Sequence, residues 1–115
     1  MHLTFTLLIK YLKNKSFIFK CVISVNGLLY KGKGYYDSGN MLTYNDIPVI
    51  FIKGVYHNEN GEVIHINTIN DESYTYLSYK GLLKISKKNI NVYVVFINEK
   101  INFNNCNILL NKYVL

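Results

Sequence analysis

The stretch FIFKCVISVNGLLYKGKGYYDSGNMLTYNDIPVIFI, residues 17–52, decides the fold. Its opening, 17–25, is rich in Phe, Ile and Val, side chains that suit a pleated surface, and reads as a strand. Asn26-Gly27 follows at once. Both positions of that pair accept positive φ, which predicts a tight hairpin into 28–31. Gly32 and Gly34 flank Lys33 in the returning strand and predict a bulge or a close backbone approach. Tyr35-Tyr36 leads into a turn-rich tetrad, Asp37-Ser38-Gly39-Asn40. Residues 41–44 read as short and extended, 45–48 as a loop ending at Pro48, and 49–52 as a buried strand.

The rest of the chain continues in this manner. His57-Asn58-Glu59-Asn60-Gly61 reads as a hairpin turn. Residues 62–69 alternate around Ile64 and Ile66, as a half-buried strand does. Residues 70–73 read as another turn, and 74–77 and 82–85 as short strands separated by Lys80-Gly81. The most apolar run, 90–97, is expected to be a central strand. Asn104-Asn105 breaks the chain before the apolar tail 108–110. Helix is expected only as one short segment near either end. Many short strands with regularly spaced turn signals predict an all-β fold, a small closed β-barrel. The apolar stretch 3–9 is far shorter than the roughly 20 residues of a spanning helix. Lys10, Lys13 and Lys15 follow it rather than precede it, the wrong order for a signal peptide. Residues 1–16 therefore read as an N-terminal extension or short amphipathic element, and 17–115 as the domain.

Composition bounds the function. At 115 residues, one domain is expected, too small to hold separate cofactor and substrate domains. Any chemistry must come from a small site or from one shared between copies. Half the residues are apolar, which excludes intrinsic disorder. The net charge is +6, yet every basic residue is Lys and none is Arg. Ile, Asn, Lys, Tyr and Phe, the residues of A/T-rich codons, dominate and account for that charge. The functional alternative is attraction to nucleic acid or to an anionic membrane face. Lys lacks the bidentate fork used for base and phosphate contacts, and Lys87-Lys88 is the only adjacent pair. No nucleic-acid partner is expected. Cys21 and Cys106 are isolated, and His2, His57 and His65 lack ligand spacing, so neither a metal nor another cofactor is expected.

One motif carries chemistry: Tyr35-Tyr36-Asp37-Ser38-Gly39-Asn40. Asp supplies a carboxylate to activate water, the neighbouring hydroxyl anchors the loop, and Gly lets backbone approach the carboxylate closely. The tripeptide Asp-Ser-Gly alone is also an ordinary turn sequence. In its setting, between an Asn-Gly hairpin and Leu42 followed by Pro48-Val49-Ile50, it resembles the catalytic segment of the sporulation sigma-factor-processing peptidases. The C-terminal domain of that family is similar to retroviral-type aspartic proteases. Weaker similarity runs through Gly81-Leu82-Leu83, the 90–97 strand and Cys106-Asn107-Ile108-Leu109-Leu110, covering about residues 17–115. The segment 76–80 is shorter than in the family and lacks its Pro.

The resemblance implies a retropepsin-like barrel, one lobe of a two-fold dimeric aspartic protease. It implies an aspartic endopeptidase acting on a protein, such as a sigma-factor precursor. Without a targeting segment, a soluble cytoplasmic domain is expected. The membrane-spanning helices of the family imply a place at the inner face of a membrane, with a membrane-associated partner or a longer membrane-attached parent chain. Asp37 would be catalytic. Ser38 would brace the loop across the two-fold axis, Gly39 would allow the turn and contact peptide, and Asn40 would complete the loop. Aspartic proteases need two carboxylates sharing a proton. Asp46 and Asp71 lack the following Ser/Thr-Gly, so a homodimer with one Asp37 from each copy is expected. Residues 55–64, with Asn58-Glu59-Asn60-Gly61 at the tip, read either as a flap over the peptide or as an ordinary surface hairpin, with Tyr56 placed to pack on substrate. Two rival readings are a non-catalytic peptide- or partner-binding domain on the same fold and a basic β-barrel that stacks single-stranded nucleic acid on its tyrosines.

Overall fold

The computed structural model describes residues 17–56, 60–67, 73–98, 103 and 105–115. The expected N-terminal element at 1–16 lies outside them. The described residues form eight strands: β1 (Ile18–Val25), β2 (Leu28–Tyr36), β3 (Thr43–Tyr44), β4 (Ile47–Lys53), β5 (Glu62–Asn67), β6 (Ser73–Ile85), β7 (Lys88–Ile97) and β8 (Ile108–Leu110). A 3-10 turn, Lys112–Val114, follows β8. The pairing order β1-β2-β8-β4-β7-β6, with β6 returning to β1, closes a six-stranded barrel. β5 adds to β6 and β3 to β4 outside the ring. The fold is all-β, as expected from the sequence.

Local chemistry sets the turns. Asn26 and Gly27 take φ of 50° and 82°, the double positive that a twisted two-residue hairpin demands. Asn45 and Asp46 do the same at 50° and 62°, joining β3 to β4. The loop expected at 45–48 is thus shorter, and Pro48 lies inside β4 opposite Thr43. Pairing of β4 with β7 begins only at Val49, so the missing proline N–H interrupts no ladder. Gly32 and Gly34 sit in regular register with Cys21 and Phe19, so they make no bulge. They serve close approach instead: a Cβ on Gly34 would lie 2.7 Å from Cys21 Sγ and 2.9 Å from Leu110 Cγ.

The strands expected at 74–77 and 82–85 are one 13-residue strand, β6. Gly81 does not break it. A Cβ there would stand 3.1 Å from the Ser24 carbonyl oxygen, so glycine admits β1 against β6. β4 and β7 are buried on both faces, which explains their unbroken apolar runs. Ile50, Ile52, Val92 and Val94 point into the barrel with Ile23, Leu83, Ile85, Ile108 and Leu110. Val49, Phe51, Tyr93 and Val95 form a second cluster with Ile64, Ile66, Phe103 and Cys106. Each fully buried Ile or Leu contributes roughly 1.5–3 kcal/mol.

Candidate active site

The Asp37 loop leaves the end of β2 and turns back toward β3 and β4. β8 fills the space between β2 and β4, parallel to the first and antiparallel to the second. Tyr36 pairs with Leu110, so Asp37 stands directly above the β2–β8 seam. The main-chain amide of Tyr36 donates to the Phe17 carbonyl at 2.7 Å, which fixes where β2 stops.

The loop is held in two ways. From within, the Gly39 amide donates to Asp37 Oδ1 at 2.8 Å, and the Asn40 amide donates to the Asp37 carbonyl at 3.0 Å. A Cβ on Gly39 would stand 3.1 Å from that same Oδ1, so the small residue lets the carboxylate bind its own loop. From beneath, Asn40 is buried and its side-chain amide donates to the Val49 carbonyl at 3.3 Å and the Leu110 carbonyl at 3.2 Å. Its Oδ1 accepts from the Leu42 amide at 3.4 Å. Its own carbonyl accepts from the Lys112 amide at 2.8 Å.

A second buried amide completes the mount. Asn111 is fully buried, and its Nδ2 donates to the Leu42 carbonyl at 2.7 Å and the Val49 carbonyl at 3.1 Å. Its Oδ1 accepts from the Tyr113 amide at 3.0 Å, capping the terminal 3-10 turn. The Tyr36 hydroxyl donates to the Lys112 carbonyl at 3.0 Å, tying that turn to β2. Above this mount Asp37 is partly exposed, and Ser38 and Gly39 are exposed. Three exposed apolar side chains, Met41, Tyr113 and Leu115, belong to the loop and to the turn bonded to it.

The structure therefore brings Asp37, Ser38, Gly39 and Asn40 into one loop. Asn111 escaped the sequence reading, because in an Asn-rich chain nothing local marks one Asn as buried. Of the expected flap tip, Asn58 and Glu59 lie outside the described residues. Residues 62–67 pair with 73–78 of β6. Asn60 is an exposed turn residue, and Gly61 leads into β5 under Leu77 and Tyr79. Tyr56 packs on Phe96 (5.0 Å between ring centroids) and Tyr79 (4.7 Å) and accepts from Asn26 Nδ2 at 3.0 Å. That places it beside the β1–β2 turn, at the end of β2 opposite Asp37.

Cys21 and Cys106 are both buried. Burial pushes the Cys21 thiol up to about 11, against a smaller opposing pull from the Gly34 backbone. Burial also raises Cys106, while Lys33 and Lys53 pull it down. His65 is exposed with its Nδ1 3.1 Å from the Thr75 hydroxyl. Among the described residues no three His, Cys, Asp or Glu side chains gather as a metal site would require. None of the described helices is long and apolar enough to cross a membrane. No family model and no curated protein matches the chain.

Proposed function

We propose that the chain is an aspartic endopeptidase domain whose active site is completed by a second copy, with one Asp37 from each. The observation that carries this reading is the mounted loop. Asp37 sits on an open face of a closed barrel, its Oδ1 held by the Gly39 amide at 2.8 Å, over a floor of two buried asparagines. A floor of that kind suits a carboxylate whose position must be held closely. The exposed Met41, Tyr113 and Leu115 beside the loop supply apolar surface for a two-fold contact. The resemblance to the sigma-factor-processing peptidases supports the same assignment and names the substrate class, a protein precursor bound in an extended conformation.

In such a dimer two like charges about 3 Å apart cannot both ionise, so the pair shares one proton. The ionised carboxylate takes a proton from water as the water attacks the scissile carbonyl. The protonated one donates a hydrogen bond to the carbonyl oxygen. The two apparent acidities belong to the pair. Ser38, exposed beside each carboxylate, would bond across the axis.

The test is cleavage of unfolded casein and of a mixed peptide library by the purified chain across acid to neutral pH. Asp37→Asn, which preserves shape and removes the charge, should abolish cleavage while leaving the fold intact. Sedimentation equilibrium should show a dimer. Equal cleavage by the Asp37→Asn protein sinks the assignment.

A further inference from the structure

We infer that the outer face of the β2–β1–β6 sheet is a docking surface for an anionic lipid membrane. The lysines look scattered in sequence, but the register gathers them. Lys20 lies directly opposite Lys33, and Lys31, Val22 and Lys84 form the next row across β2, β1 and β6. Alternation puts Lys20, Val22, Lys31, Lys33 and Lys84 on one face, away from the buried Cys21, Ile23 and Leu83. All four lysines are exposed. Not one Asp or Glu occurs in β1, β2 or β6.

Like charges directly opposite on a sheet destabilise it, so the Lys20–Lys33 pair works against the fold that carries it. A local rule broken without a compensating partner in the same sheet points to a role outside the fold. A hollow of about 400 Å³ opens there, lined by Lys20, Cys21, Val22, Lys31, Gly32 and Lys33. Two-fold self-association through this face would set lysines against lysines, which excludes a second copy as its occupant.

The choice among anionic partners follows from what surrounds the charges. Ile18 is 42 % exposed at one end of the face and Leu29 is 62 % exposed at the other, with Leu28 beside it at the hairpin tip. Apolar side chains bracketing point-charge lysines suit an interface of acyl chain and headgroup. The face has no Arg fork for bidentate phosphate recognition, which a nucleic-acid site would favour. Its docking is independent of the proposed peptidase activity.

The experiment is co-sedimentation of the full chain with phosphatidylcholine vesicles, with or without about 30 mol % phosphatidylserine, at low ionic strength and at about 0.5 M salt. Binding should require phosphatidylserine and vanish at high salt. Each lysine near an anionic surface is worth about fivefold in affinity, so Lys20→Gln/Lys33→Gln should weaken binding roughly 30-fold. Lys53→Gln/Lys112→Gln, which removes the same charge elsewhere, should weaken it far less. Lys20→Arg/Lys33→Arg should bind as the parent does, and circular dichroism should show all variants folded. Absence of binding to anionic vesicles at low salt overturns the inference, as does equal loss in both Gln pairs. Binding of a single-stranded oligonucleotide through Lys20 and Lys33, with vesicles ignored, also overturns it and reassigns the face to nucleic acid.

Discussion

The Val49 carbonyl accepts from two side chains, Asn40 at 3.3 Å and Asn111 at 3.1 Å. That sharing makes a prediction at the scale of single residues. Asn40→Ala and Asn111→Ala each orphan buried groups and should each cost about 2 kcal/mol in urea unfolding. Either alone leaves Val49 one donor. The double variant leaves none, so its cost should exceed the sum by about 1 kcal/mol, a coupling a double-mutant cycle reads directly. Cys21 gives a pH prediction. Its thiol ionises near 9.0 when unfolded and at about 11 when folded, because burial disfavours the thiolate. The stability this contributes is fully present below pH 9 and is lost as pH rises from 9 toward 11. Urea midpoints should fall over that window, and Cys21→Ala should flatten the decline. At this scale the turn at 37–40 was legible because its residues are neighbours in space as well as in sequence. Asn111 was not, because its partners at 42 and 49 are brought to it only by the closed barrel.

Among the elements, the hairpins were the most legible, since Asn26-Gly27 encodes its turn in two residues. The β6–β7 turn was missed: Ser86 adopts φ of 54° without being a residue that advertises it. Ser86→Gly should relieve that conformation and raise stability by about 0.5–1 kcal/mol, measured as a higher urea midpoint. Gly81 misled in the opposite sense. Glycine reads as a breaker, yet here it marks where two strands meet closely. Gly34 is the more demanding case, since an added methyl would press on both Cys21 and Leu110. Gly34→Ala should cost about 1–3 kcal/mol and push β8 away from β2. Amide exchange should quicken at 108–110 before it does in β6 and β7.

At the scale of the molecule, the barrel class was legible from the spacing of short apolar runs, but the strand order was not. The decisive link is β8, three residues that join β2 to β4 and so close the ring. Pairing between residues so far apart in the chain leaves no local trace. A chain ending at residue 107 should lack cooperative unfolding and dispersed amide resonances, because β2 and β4 would each keep an open edge. The charge shows the same limit. A +6 total with scattered lysines looked like composition alone, and only the register set four of them on one face. The position of β8 also ties the site to ring closure. Domains generally fold as units, and this ring closes only through 108–110. Until that segment is seated, the Asp37 loop has neither the Leu110 carbonyl nor Asn111 beneath it. The carboxylate therefore gains its fixed position in the same step that closes the barrel.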